Sequence, residues 1–106
     1  MDSNKLVKIT VDALEEIKAF DIKVLNVNKL TSMFDFIIIA SAGSSRQTKA
    51  LANNVQEKVK KAGGSILCLE GEQTGEWLLV DLGDVIVHIM QPEAREYYNL
   101  EALWTE

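Results

Sequence analysis

The sequence predicts an α/β (α+β) domain built on a single mixed β-sheet of about five strands, with helices packed on the sheet. Three observations carry this prediction: two segments with helical apolar spacing, several short runs rich in β-branched residues, and a hairpin near the C-terminus. Helix-connected and hairpin-connected strands occur together, which implies a mixed sheet. The expected order is α-β-β-α-β-β-β-α, in one domain over residues 1–106.

The composition is that of an ordinary globular protein, with 47% hydrophobic and 25% charged residues. The chain has no run of roughly 18 apolar residues, and its first residues lack the apolar core of a secretory signal. We therefore expect a cytoplasmic protein that does not enter a membrane. The formal net charge is −5, from 16 acidic and 11 basic residues. Such a chain repels phosphate backbones and attracts a basic protein partner.

The N-terminal half contributes a helix and two strands. Asp2 or Ser3 is the expected N-cap of the first helix. The apolar face of this helix is formed by residues at helical spacing, namely Leu6, Ile9, Ala13, Leu14, Ile17 and Phe20. Residues 21–27 (DIKVLNV) predict the first strand. Residues 34–40 (FDFIIIA) are the most apolar run of the chain and predict a central strand covered on both faces.

A second helix follows the break at Gly43, with one residue of the Ser44–Ser45 pair as its N-cap and Gly63 after its last turn. Residues 65–69 (SILCL) then predict a third strand. Cys68 lies in this run and is the single cysteine of the chain. Because its neighbours are apolar, we expect a buried, unreactive thiol.

The clearest unit is a hairpin, in which residues 77–81 and 84–90 form strands joined by a two-residue turn at Leu82-Gly83. This turn sets a register in which the following residues face each other: Asp81 and Asp84, Val80 and Val85, Leu79 and Ile86, Leu78 and Val87, Trp77 and His88.

The two faces of the hairpin differ in character because side chains alternate along a strand. One face is wholly aliphatic and is assigned to the core: Leu78, Val80, Val85, Val87 and Ile89. The other face is mixed: Trp77, Leu79, Asp81, Asp84, Ile86, His88 and Met90. A large aromatic with an adaptable methionine and acids is typical of a protein-binding patch. The alternative is that the closing helix, predicted over residues 93–104 after Pro92, covers Trp77 and Met90 and leaves the acids merely solvated.

The segment GEWLLVDLGDVIVHIMQPEAREYYNLEALW resembles the ribosomal silencing factor family, also called Iojap-like. The family pattern is Gly-x-Trp, apolar residues to Asp-x-Gly-Asp, then Val-His, Arg, Tyr and Leu-Glu-x-Leu-Trp. The matching residues are Gly75, Trp77, Asp81, Gly83, Asp84, Val87, His88, Arg95, Tyr98, Leu100, Glu101, Leu103 and Trp104. The earlier part fits through Asp21, Thr31-Ser32, Asp35 and the Ala-Gly-Ser-Ser run. One departure is Met90, where the pattern has an aromatic residue, which changes packing or contact shape.

This resemblance implies a nucleotidyltransferase-like fold with no demonstrated transferase activity, and a partner on the large ribosomal subunit. The implied partner is the fourteenth large-subunit protein, on the surface that faces the small subunit. The bound factor would block subunit joining and so repress translation. The residues implied to lie in or beside the contact are Trp77, Asp81, Asp84, His88, Arg95 and Tyr98. The resemblance also implies a homodimer, and the ribosomal context adds a minor RNA contact through the basic second helix as an alternative to a solvated face.

A nucleotidyltransferase-like enzyme is the alternative function. Such enzymes hold phosphate at a Gly-Ser helix start, which Gly43-Ser44-Ser45 would supply, and bind a metal ion with two carboxylates on a following strand. The second part is missing, because no aspartate lies between Asp35 and Asp81. His88 is the single histidine and cannot form a multi-histidine metal site. We therefore expect no metal, no other cofactor, and a protein that works by binding.

Overall fold

Five strands form one sheet in the computed structural model, which describes residues 1–104. The elements in chain order are α1 (Ser3–Glu16), β1 (Phe20–Asn26), β2 (Phe36–Ser41), α2 (Ser45–Lys61), β3 (Cys68–Glu70), β4 (Trp77–Asp81), β5 (Val85–Met90), α3 (Pro92–Tyr98) and α4 (Leu100–Leu103). The sheet order is β1-β2-β5-β4-β3, in which β2 and β5 are parallel and the other neighbours are antiparallel. The predicted mixed five-stranded sheet is confirmed.

Side-chain caps begin both long helices. The Asp2 carboxylate accepts a hydrogen bond from the backbone N–H of Lys5 at 2.8 Å, and the Ser44 hydroxyl accepts one from Gln47 at 3.1 Å. Each cap pairs a backbone donor that the first helical turn leaves without a partner. The sequence leaves two neighbouring candidates at each cap, and the structure selects the first of each pair.

The helices α1 and α2 pack on one face of the sheet, which we call the inner face. The buried aliphatic side chains of this layer include Leu6, Leu14, Ile38, Leu51, Val55, Val59, Leu78, Val80, Val85, Val87 and Ile89. The five hairpin residues assigned to the core are all fully buried. The alternation of side chains along a strand therefore identified the inner face correctly.

The second strand is buried from Ile37 to Ser41, as expected for a strand covered on both faces. The middle position of the sheet belongs to β5, and β2 lies beside it. Parallel pairing places Ile37 next to Ile86 and Ile39 next to His88. The apolar run thus supplies an interior strand whose neighbours are β1 and β5.

The third strand is shorter than predicted and lies at the edge of the sheet. Its first residue, Cys68, is exposed, so the expected buried thiol is wrong. An apolar run at a sheet edge has a strand neighbour on one side only, and Leu67 before it is also 66% exposed. Local apolar composition does not distinguish an edge strand from a covered one.

The C-terminal segment forms two short helices where one was predicted over residues 93–104. The break lies at Asn99, whose backbone has φ 45° and ψ 56°, the left-handed conformation that ends α3. The helices α3 and α4 pack on the opposite face of the sheet, which we call the outer face. Across residues 1–104, none of the helices is long and apolar enough to cross a bilayer.

Candidate partner-binding surface

The hairpin between β4 and β5 turns one residue later than predicted. The backbone N–H of Leu82 donates to the carbonyl of Val85 at 3.0 Å, so Gly83 and Asp84 are the central residues of the turn. Gly83 has φ 93°, a backbone conformation that glycine adopts without strain, and its N–H donates to Asp81 Oδ1 at 2.9 Å.

The predicted register is therefore wrong. The observed pairs are Trp77 with Met90, Leu78 with Ile89, Leu79 with His88, Val80 with Val87, and Asp81 with Ile86. Moving the turn by one residue shifts the register by two residues, so every side chain keeps the face to which it was assigned. The two acids do not oppose each other, because Asp84 lies in the turn.

The outer face is covered at one side and open at the other. Met90 is fully buried with Val27, Ile37 and Ile39 in a small cluster. The side chains that pack against this cluster from the C-terminal segment are Ala94, Leu100 and Trp104. The expectation that Met90 belongs to an exposed patch is thus wrong. The alternative of a covering helix applies to this part of the face.

The open part of the outer face lies over β4. Leu79, Asp81 and Ile86 are partly exposed there, and Asp84 is exposed in the adjoining turn. Cys68 and Glu70 of β3 pair with Asp81 and Leu79 and extend this surface to the edge of the sheet. The structure therefore leaves a mixed strip accessible to a partner, in which Asp81 and Glu70 lie beside the apolar side chains and Asp84 lies at the turn.

Trp77 lies where the open and covered parts meet. Its indole Nε1 donates to His88 Nδ1 at 3.0 Å, and its ring centroid lies 4.7 Å from that of Tyr98. Tyr98 contacts Tyr97 edge-on at 5.0 Å, and these tyrosines are 51% and 82% exposed. We call Trp77, Tyr98 and Tyr97 the aromatic row. The row begins at the half-buried Trp77 indole, which is held by a hydrogen bond, and ends at the exposed Tyr97 ring. It therefore offers a partner a large accessible aromatic area.

His88 is almost entirely buried, with 8% of its surface exposed. Burial lowers the pKa of the imidazole from 6.5 to about 4, because the charged form loses its hydration. The ring is consequently neutral at physiological pH, with Nδ1 as an acceptor and its proton on Nε2. The structure places His88 beneath the surface beside Trp77, as its hydrogen-bond partner.

A groove of about 390 Å³ begins beside the aromatic row. It is lined by Glu76, Gln91, Glu93, Ala94, Tyr97 and Tyr98. Two carboxylates next to two phenol rings provide a site that suits a cationic side chain, through charge and through the negative faces of the rings. No local pattern in the sequence marks Glu76 or Glu93, because only the fold brings the residue before β4 against α3.

Arg95, implied to lie near the contact, points toward the covered side instead. Its Nε lies 2.9 Å from Glu101, and its Nη1 donates to the Ser41 hydroxyl at 2.8 Å and to the backbone carbonyl of Asp21. Only 14% of its side chain is exposed. Arg95 therefore fastens α3 to α4 and to the start of β1.

The serines before α2 have structural partners. Ser44 caps the helix, while the Ser45 hydroxyl donates to the carbonyl of Thr74 at 2.9 Å and accepts from Gln91 Nε2 at 3.1 Å. Ser45 thereby ties the start of α2 to the loop before β4 and to the residue before α3. The cap interpretation of the Gly43-Ser44-Ser45 run is confirmed. Among residues 1–104, no group of three or more His, Cys, Asp or Glu side chains is placed to hold a metal ion.

Known proteins resemble the chain over nearly its whole length. A ribosomal silencing factor from Chromobacterium violaceum is 52% identical over 98% of this chain and 85% of its own length. A crystal structure of a protein from the same bacterium superposes with a TM-score of 0.96 at 52% identity, covering 98% of this chain and 87% of that one.

A more distant relative is the mouse protein named mitochondrial assembly of ribosomal large subunit protein 1. It is 32% identical over 93% of this chain and 45% of its own length. The family model described as "ribosomal silencing factor during starvation" matches residues 1–106. The chain belongs to the ribosomal silencing factor family.

Proposed function

We propose that this protein binds the large ribosomal subunit at the fourteenth large-subunit protein, on the surface that faces the small subunit. In this position it prevents subunit joining and represses translation in the cytoplasm. The observation that carries the proposal is the aromatic row beside the open strip of the outer face. Tryptophan and tyrosine are the side chains most often found to dominate binding energy at protein interfaces.

The charges of the same surface favour a basic partner. Glu76 and Glu93 line the groove beside Tyr97 and Tyr98, and Asp84 is exposed at the far end of the open strip. The whole chain carries a net charge of −5. Such a surface attracts a lysine- and arginine-rich protein surface over several ångströms and orients it on approach.

A binding factor of this kind represses by mass action. If the protein binds the large subunit only when the small subunit is absent, it lowers the concentration of large subunits able to join. No chemical step is required, so we propose that the protein is not an enzyme. The names of the relatives, a ribosomal silencing factor and a protein of large-subunit assembly, support this assignment of the partner.

Two further contacts belong to the proposal. Arg46, Lys49, Lys60 and Lys61 are exposed on α2 and offer a minor contact to ribosomal RNA. Lys58 of the same helix lies 3.4 Å from Glu16 and has a partner within the chain. The second contact is a homodimer formed through the exposed aromatics. It would compete with ribosome binding, because both contacts would use the aromatic row.

Co-sedimentation with separated large and small subunits tests the proposal. Wild-type protein is expected to travel with large subunits only. Trp77→Ala should lower the affinity at least about thirtyfold, which corresponds to the roughly 2 kcal/mol of an interface hot spot. Trp104→Ala is the matched control, because Trp104 packs against Phe34 on the covered side at 5.5 Å. Equal affinity for both subunits, or equal loss in both folded variants, would contradict the proposal.

A further inference from the structure

We infer that His88 is a positioning residue for the partner contact: its Nδ1 atom holds the Trp77 indole in the orientation that meets the partner. The inference rests on the proposed function and deepens it. His88 itself lies below the surface and acts through Trp77.

The register explains how the two side chains meet. Trp77 lies directly opposite Met90, so His88 is its diagonal neighbour on the adjacent strand. Diagonal neighbours on one face of a sheet are within reach of aromatic side chains. Their ring centroids are 5.8 Å apart, and the Nε1–Nδ1 distance of 3.0 Å is that of a hydrogen bond.

The chemistry of the two groups makes the contact directional. An indole N–H only donates, so it needs an acceptor when half-buried, and a neutral imidazole supplies one at Nδ1. Because His88 is 8% exposed, its ring cannot turn out to solvent without disturbing the sheet face. The buried ring is therefore a fixed point to which the more exposed Trp77 is attached.

Trp77 also packs against the Met90 cluster and against Tyr98, and Tyr98 is less firmly held than His88. Tyr98 is 51% exposed, and α3 contains no buried residue among its seven. The Tyr98 ring lies 4.7 Å from the indole and is tilted by 45°, so it restricts the indole only as well as Tyr98 is itself restricted. Packing of Trp77 against the Met90 cluster is not directional, whereas its hydrogen bond to His88 is. The hydrogen bond therefore sets the orientation of the indole before a partner arrives, which removes part of the entropy cost of ordering a side chain on binding.

Two variants of similar shape separate this role from a structural one. His88→Asn keeps an amide near the position of Nδ1 that can accept the indole N–H, whereas His88→Leu places methyl groups there and removes the acceptor. Leucine suits a buried site at least as well as asparagine, so instability does not explain a defect found only with leucine. Both variants are made with Trp104→Phe, so that Trp77 is the single tryptophan of the chain.

Two measurements are made on variants whose circular dichroism matches the parent. Acrylamide quenching and fluorescence anisotropy report the mobility of the Trp77 indole, and co-sedimentation reports affinity for isolated large subunits. We expect His88→Asn to resemble the parent in both. We expect His88→Leu to show a more mobile indole and about tenfold weaker binding, which corresponds to the roughly 1.4 kcal/mol within the range of a single hydrogen bond.

A double-mutant cycle adds a readout that a purely structural role would not change. Trp77→Phe keeps an aromatic ring and removes the donor, so in that background His88→Asn and His88→Leu should bind large subunits equally. A persisting difference would show that His88 acts by another route. Equal binding of both variants with Trp77 present, or an equally mobile indole, would likewise overturn the inference. If the parent itself fails to bind large subunits, the proposed function is wrong, while indole mobility still decides whether His88 holds Trp77.

Discussion

The two faces of the sheet are built from the same strands and differ in what covers them. The inner face lies under two long helices, and its hairpin residues are uniformly aliphatic and fully buried. The outer face lies under two short helices that contain no buried residue, and it includes Trp77, His88 and Asp81 beside its aliphatic residues. The inner face thus stabilises the fold, and the incomplete cover of the outer face leaves a mixed surface free for a partner.

Leu78 and Leu79 provide the most direct test of this comparison, because they are neighbours on β4 with opposite orientation. Leu78→Ala should lower the free energy of unfolding by about 3.5 kcal/mol, since it leaves a cavity in the inner core. Leu79→Ala should cost only about 1 kcal/mol, because that side chain is half-buried, and should weaken large-subunit binding more than it weakens the fold. Urea denaturation measures both variants. Equal costs would show that the outer face contributes to stability as much as the inner face does.

The pH dependence of stability tests the burial of His88 on the outer face. Its pKa is lowered to about 4 in the folded protein from 6.5. His88 therefore leaves the stability unchanged above pH 6.5 and lowers it as the pH falls toward 4, because the unfolded chain binds the proton first. The loss should be on the order of 3 kcal/mol at 1.36 kcal/mol per pH unit.

Wild type and His88→Asn are compared over this pH range. The carboxylates titrate in both proteins, so the difference between the two unfolding free energies reports the contribution of the histidine. The difference between the two unfolding free energies should change in the stated direction between pH 6.5 and 4. A constant difference would mean that the imidazole is hydrated in the folded protein.

Arg95 holds the cover of the outer face in place. Arg95→Ala should lower stability by about 2 kcal/mol, because it removes charge-assisted hydrogen bonds from a mostly buried side chain. Arg46→Ala is the matched control, since Arg46 is exposed on α2 and should change stability by less than about 0.5 kcal/mol. Thermal and urea melts distinguish the two. A neutral Arg95→Ala would show that the cover is held by the apolar contacts of Leu100 and Trp104 alone.

Local signals in the sequence were sufficient for the two long helices, the five strands and the two faces of the hairpin. The helical spacing of apolar residues, the β-branched runs and the alternation in residues 77–81 each reflect a property of one segment. The predicted register of the hairpin was wrong, but the predicted face of each strand residue was correct, because a shift of two residues preserves the alternation. The resemblance of the C-terminal segment likewise identified the family.

The predictions of burial were wrong where contacts with a distant part of the chain determine whether a side chain is covered. Cys68 is exposed because its strand is at the edge of the sheet, and Met90 is buried because Leu100 and Trp104 return to cover it. The groove depends on Glu76 and Glu93 meeting across two elements.

By itself, the sequence determined the order of the five strands and the two long helices and which hairpin side chains face the aliphatic core, because both depend on residues a few positions apart. The tertiary structure alone decided which mixed-face residues stay accessible and that His88 is buried as the acceptor for Trp77. Accessibility depends on what packs above a side chain, and those residues are remote in the sequence.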